Sequence, residues 1–164
     1  MSSLYARDCE ALQRLASIIS RHESAEILQR RFEFMRDAIS RHMWDEDIGL
    51  FSNMNAISLQ FVRQHSPTSF YPLIAGIADH HQLHLMLHRH LLNESRFCVV
   101  EEPHNNCSFA LPSTPFDDPA FQDQQYWRGR IWAPMVQLVY TGLQRYRHIH
   151  LADYARKVVN NSQI

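Results

Sequence analysis

Apolar residues recur at helical spacing along most of this chain. From about Ser3 to Ile19, Leu4, Leu12, Leu15, Ile18 and Ile19 follow a 3.6-residue period and predict a first helix with one apolar face. A second helix is predicted from about Ser24 to Met43, where Ile27, Leu28, Phe32, Phe34, Met35, Ala38, Ile39 and Met43 make a broad apolar stripe. WDEDIGLFSNMNA then breaks the pattern. Its Gly49 reads as a turn, followed by a short extended piece at Leu50 to Asn53. In SPTSFYPLIAGIA, Ser66 or Thr68 suits the cap of a helix whose early turn carries Phe70, Leu73 and Ile74. Pro72 is tolerated there only because it lies near the start, and Gly76 lets another element approach closely. Asp79 is a natural N-cap for a helix reaching about Leu92, with Leu83, Leu87 and Leu91 as its buried stripe. Residues from about Asn93 to Gln125 are rich in Pro, Asn, Ser and Asp and predict a long irregular segment. Two further helices are predicted, from about Ile131 to Tyr146 and from about His150 to Asn160. The array is one of helical hairpins, and the pattern suits a bundle, a solenoid or an α/α toroid equally.

Composition sharpens this in places. The chain has 164 residues, enough for one domain with a core, and only four glycines, too few turn signals for a strand-rich fold. With 45% hydrophobic and 20% charged residues it sits among ordinary globular proteins. A net charge of -1 with scattered arginines offers no basic stripe for nucleic acid. Three cysteines, an odd number, argue against a disulfide framework and for a reducing compartment. The N-terminal stretch lacks the apolar core of a signal peptide, and no apolar run is long enough to cross a membrane, so the chain as given reads as cytoplasmic. Eleven histidines are the oddity. His80, His84 and His88 share one helix face, with His81 and His90 flanking. Such a face binds zinc only with a third ligand, and neither H-E-x-x-H nor C-x-x-C is present, so a solvated histidine face without metal is expected. Glycine-rich phosphate loops are absent, and no cofactor is expected.

The candidate chemistry concentrates in QQYWRGRIWAPM. Trp127 and Tyr126 offer faces that stack on sugars or cations, and Arg128 offers several fixed hydrogen-bond donors. Trp132, one turn into a helix, reads as core. Two pairs of acids, Glu101 with Glu102 and Asp117 with Asp118, lie in the long loop, where paired carboxyls suit general acid–base work. Asp118 before Pro119 is equally a turn former. Cys107 near His104 carries no mark of a nucleophile elbow or triad.

Taken together, WDEDIGLF, SPTSFYPLIAG, HLLN and PFDDPAFQDQQYWRGRIWAPMVQLVYTGLQRY resemble the C-terminal part of glycoside hydrolase family 63, which includes mannosyl-oligosaccharide glucosidases and is similar to trehalases and mannosylglycerate hydrolases. The resemblance covers about residues 40 to 147. It implies an all-α, partial (α/α)6 toroid whose loops form a sugar pocket at one end. It also implies inverting hydrolysis of an α-glycosidic bond in an oligosaccharide or disaccharide, which needs an acid and a base with carboxyls roughly 6.5–9.5 Å apart. In the family the acid lies well upstream of the WDEDIG-like segment and the base downstream of the Tyr-Trp-Arg-Gly helix. Few residues precede Trp44 here, and the chain ends RKVVNNSQI. Residues 1 to 164 are therefore expected to be a single helical domain, the later half of the ring, with no catalytic carboxylate of its own. The resemblance assigns Trp127 to the sugar pocket, with Tyr126, Arg128, Gly129, Asp118 and Phe70 as further substrate contacts. Half a ring would leave apolar surface uncovered, which implies self-association or a partner supplying the missing half. The alternatives are a non-catalytic carbohydrate- or protein-binding helical module and, more weakly, a metal-dependent activity on the histidine face.

Overall fold

The buried positions of the first two helices are mostly small residues. In the computed structural model, which describes residues 1–99 and 111–161, α1 (Ser2–Ile18) buries Ser3, Ala6, Cys9 and Ala16, and α2 (His22–His42) packs antiparallel to it with Ala25 and Ile39 buried. Leu4 packs partly buried on the core, but Leu12, Leu15 and Ile18 of α1, Ile19 just past it and Phe34 of α2 are exposed. Helical spacing predicts the two helices themselves, but what covers their apolar residues is a tertiary matter.

After α2 the chain makes two short antiparallel ladders. β1 (Trp44–Asp45) pairs with β2 (Leu50–Phe51), and β3 (Asn53–Met54) pairs with β4 (Phe61–Val62). The turn between β1 and β2 uses Gly49 at φ +69, with the Leu85 side chain so close that a Cβ there would sit 3.0 Å away. Asp45, 1% exposed, is gripped from β4's end by both Arg63 Nε and Nη2, at 2.7 and 3.0 Å. This acid of WDEDIG is thus spent on joining the two ladders.

Pro67–Ala75 forms a 3₁₀ helix rather than an α-helix. Pro67 and Pro72 both lack the N–H an i−4 ladder needs, and Ser66 caps the start by accepting from the Thr68 amide. The segment is the centre of the core: Phe70, Leu73, Ile74 and Ala75 are all buried. α3 (His80–Met86) opens with a reciprocal capping box between Asp79 and Gln82 and continues as a π-helical turn at Leu87–Leu91. Leu83, Leu87 and Leu91 are buried as one stripe. α4 (Ala133–Arg145) lies on the 3₁₀ helix, with Gly142 against Leu73, and α5 (His150–Asn161) packs on α4.

One ion pair ties the ends of this array. Arg145, at the end of α4, donates to both oxygens of Glu10 on α1 at 2.6 and 3.0 Å and to the Ile74 carbonyl at 3.1 Å. Burial opposes the Glu10 charge, but hydrogen bonds from Arg145 and Arg7 overcome it and hold the carboxyl at about 2. Cys9 is a free buried thiol, whereas Cys98 is disulfide-bonded. The expectation of no disulfide is corrected on this point, since an odd count still leaves room for one pair. Glu101, Glu102, His104 and Cys107 also lie outside the described residues. No helix among the described residues is long and apolar enough to cross a membrane.

Candidate functional site

The aromatic stretch is a tight two-residue turn. Gln125 and Arg128 exchange backbone hydrogen bonds of 3.1 and 2.8 Å, leaving Tyr126 and Trp127 at the tip. Tyr126 has φ 44 and Gln124 has φ 47, left-handed conformations that disfavour side chains with a Cβ. Gly129, at φ +93, completes the distortion where only glycine fits. Such strain persists only where surrounding bonds over-determine it. Here they do. The Gly129 amide donates to buried Ser113 Oγ at 3.1 Å, the Ser113 amide donates to the Arg130 carbonyl at 2.9 Å, and Arg130 Nε donates to the Gln124 carbonyl at 2.6 Å.

The turn displays an aromatic cluster. Trp127 and Trp132 stack with centroids 4.2 Å apart and planes at 24°, and Tyr126 meets both edge-on at 5.3 and 5.0 Å. Trp132 Nε1 donates to the Tyr126 carbonyl at 2.9 Å, which locks the stack. Trp127 is 48% exposed and Tyr126 66%. Trp132, expected in the core, is half-buried instead and serves as the second ring of the stack.

A cleft of about 450 Å³ opens beside this turn. One wall carries Asn53, Val62, Gln64, His65 and Ser66, and the other carries Ser113, Thr114, Asp118 and Ala120, with Trp127, Arg128 and Met135 closing the end. Of the residues predicted to contact substrate, Trp127, Arg128 and Asp118 therefore line one cavity. Arg128 is steadied by Asp123 at 3.1 Å. Asp118 caps the 3₁₀ turn Pro119–Asp123 by accepting from the Ala120 amide at 2.8 Å. Tyr126 supports the tryptophans without lining the cavity, and Gly129 acts through its backbone. Phe70 is corrected outright: at 0% exposure it is core, meeting Phe97 edge-on at 5.4 Å.

The polar floor was not legible in the sequence. His65 is 9% exposed, and its Nδ1 accepts from Arg96 Nη2 at 2.7 Å. Arg96 Nη1 reaches Asp117 at 2.6 Å. Burial, then the Arg96 charge and His90, push the His65 imidazole down to about 4, so it is neutral over the ordinary range. His90, buried behind it with ring centroids 6.0 Å apart, donates from Nε2 to the Ile48 carbonyl at 2.8 Å, and burial lowers its affinity for a proton as well. No signal in the sequence joins positions 65, 96 and 117.

Chemically, the cleft offers an indole face, an arginine and several hydroxyl, amide and imidazole groups. Asp118 is its one lining carboxylate among the described residues, and one acid is short of the pair that glycoside hydrolysis needs. Among those residues no cluster of three or more His, Cys, Asp or Glu is placed to hold a metal; His84 and His88 simply lie side by side on the exposed face, 4.4 Å between ring centroids.

Known proteins resemble this chain along its length. It is 27% identical over 135 residues to the cytosolic neutral trehalase of Pyricularia oryzae, covering 80% of this chain and 17% of that protein. It is 27% identical over 111 residues to mannosylglycerate hydrolase MGH1 of Selaginella moellendorffii, covering 68% of this chain and 21% of that protein. The chain thus spans only about a fifth of the length of these curated relatives. Its fold matches the GH63 mannosylglycerate hydrolase of Thermus thermophilus, solved in complex with glucose, with a TM-score of 0.75 at 18% identity, over 95% of this chain and 36% of that one. The all-α architecture is accordingly of the (α/α)6 toroid type. The family model of the mannosylglycerate hydrolase MGH1-like glycoside hydrolase domain matches residues 1–163, and the chain belongs to that family.

Proposed function

We propose that this chain forms one wall of the sugar pocket of an inverting α-glycosidase acting on a disaccharide or oligosaccharide. Trp127 is the stacking platform, Arg128 and Asp118 bind ring hydroxyls, and both catalytic carboxyls come from outside the chain. The residues are the later half of the ring, a single helical domain. The observation that carries the reading is that Trp127, Arg128 and Asp118 line one cleft, with the Trp127 face half-exposed and backed by Trp132. The single lining carboxylate, itself engaged as a helix cap, also favours the alternative that the chain by itself binds carbohydrate without cleaving it. The exposed apolar residues Leu12, Leu15, Ile18, Ile19 and Phe34 are where further helices, from a second copy or a partner, would complete the ring.

The test is titration of the purified chain with glucose and with methyl α-mannoside, followed by tryptophan fluorescence and calorimetry. Wild type should bind, and Trp127→Ala should weaken binding about fivefold or more while keeping the helical signal, since an aromatic platform contributes about 1 kcal/mol or more. A folded wild type that binds neither sugar overturns the pocket. Turnover of trehalose, an α-glucoside or an α-mannoside by the chain alone overturns the missing acid pair and makes Asp118, Glu101 and Glu102 the first residues to mutate.

A further inference from the structure

The two walls of the cleft come from segments far apart in the chain, and one side chain holds both. Arg96 follows the π-helical turn after α3. Its Nη2 donates to His65 Nδ1 at 2.7 Å on the first wall, and its Nη1 donates to Asp117 at 2.6 Å on the second. Its own carbonyl accepts from the Phe116 amide at 2.8 Å, fixing the second wall's backbone as well. His65, Ser66, Thr114 and Asp118 all face the cavity, so the separation of the walls sets its width. We propose that Arg96 is a positioning residue of the cleft, clamping its two walls through His65 and Asp117, and that the clamp holds only while the His65 imidazole is neutral.

The need for a neutral ring follows from which atoms can donate. A guanidinium has donors only, so His65 Nδ1 must present a lone pair and the ring proton sits on Nε2. A proton on Nδ1 would set N–H against N–H beside a fixed positive charge. The groups facing the ring are Arg96 and His90, which oppose that proton, and Asp117 and Asp45, which favour it. Burial and the two opposing groups prevail, and the ring takes up a proton only near pH 4. The clamp is therefore closed at neutral pH and released in acid. When released, the second wall loses the tie on which the spacing of Thr114 and Asp118 from His65 and Ser66 depends.

This deepens the sugar-pocket reading and rests on it for its effect on affinity, but the clamp itself is measurable without ligand. Amide hydrogen exchange of Phe116, normalised to the amides of α4, is followed from pH 7 to 3 in wild type, His65→Asn and His65→Phe, with glucose affinity measured alongside. His65→Asn keeps an acceptor near the Nδ1 position and does not take up a proton in this range. His65→Phe removes the acceptor. Wild type should show Phe116 protection that falls as pH passes about 4, while His65→Asn should keep its protection across the range. His65→Phe should lose protection at every pH, on the order of tenfold or more, as expected when a charge-assisted hydrogen bond is broken. Should His65→Phe fail to fold, Asp117→Asn tests the exposed end of the clamp and should lower the same protection. Equal acid loss in wild type and His65→Asn overturns the role of His65. Unchanged protection in the folded His65→Phe or in Asp117→Asn overturns the clamp. The expected exchange pattern without glucose binding in any variant leaves the clamp standing and sinks the sugar-pocket reading.

Discussion

Gly129 is the position where one methyl group should do most to the aromatic turn. Its φ of +93 already excludes an ordinary L-residue at about 1–3 kcal/mol. A Cβ there would also sit 2.5 Å from Gln124 Nε2 and 2.6 Å from the Phe121 carbonyl oxygen. The glutamine can swing away only by giving up its 2.8 Å bond to that same carbonyl, about 0.5–1.5 kcal/mol. The carbonyl is backbone within the Pro119–Asp123 turn and has little room to move. The combined local cost of Gly129→Ala is therefore about 2–4 kcal/mol. The turn is at the surface and the core does not rest on it, so the chain should meet this cost by rearranging residues 124–131 rather than by unfolding. The stack of Trp127 on Trp132 depends on the pins through Ser113 and Arg130 and should be lost. The assay is circular dichroism of the coupled indoles, read with thermal melting and sugar affinity. The expected result is loss of the indole couplet and at least about tenfold weaker binding, a change of about 1.4 kcal/mol, with a small change in melting temperature. A variant that retains both couplet and affinity refutes the argument that Gly129 shapes the platform. One that melts far below wild type refutes the claim that the turn is separable from the core.

Two further outcomes follow from the same packing. Phe70→Ala should cost about 3–5 kcal/mol in urea denaturation, as expected for a buried phenylalanine at the centre of a core; a loss below about 1 kcal/mol would show that the site closes around the change. Glu10→Gln should remove acid sensitivity from one pH window. With the folded carboxyl at about 2 against an ordinary value of 4.5, the bonds of Glu10 to Arg145 and Arg7 contribute stability that is present above about pH 4.5 and lost as pH falls toward 2. That window lies below the one set by His65, whose lowered value gives stability present above its ordinary 6.5 and lost as pH falls toward 4. Stability curves from pH 7 to 2 should therefore flatten only at the lower end in Glu10→Gln, and unchanged curvature there would refute the assignment.

Local chemistry could be read directly from the chain. The caps Ser66 and Asp79, the turn before Pro119 and the stripe of Leu83, Leu87 and Leu91 depend on neighbours within a few residues, and each forms in the structure as spacing and side-chain type predict. The aromatic clustering of Tyr126, Trp127 and Trp132 is likewise visible in the short stretch that contains it, whereas the demand for glycine at 129 comes from the fold of the turn. Orientation was not. The period that marks Leu12, Leu15 and Ile18 as one side of α1 says nothing about what lies opposite, and the buried seam turned out to be the small residues Ser3, Ala6, Cys9 and Ala16. Phe70 is expected from the resemblance to contact substrate, yet the 3₁₀ path imposed by Pro67 and Pro72 turns it into the core. The clamp is the extreme case. His65, Arg96 and Asp117 are separated by 31 and 21 residues, and a hydrogen bond needs its atoms within about 3 Å. No local rule of composition or period can bring them together; only the packing of the ladders, α3 and the 111–123 segment does so.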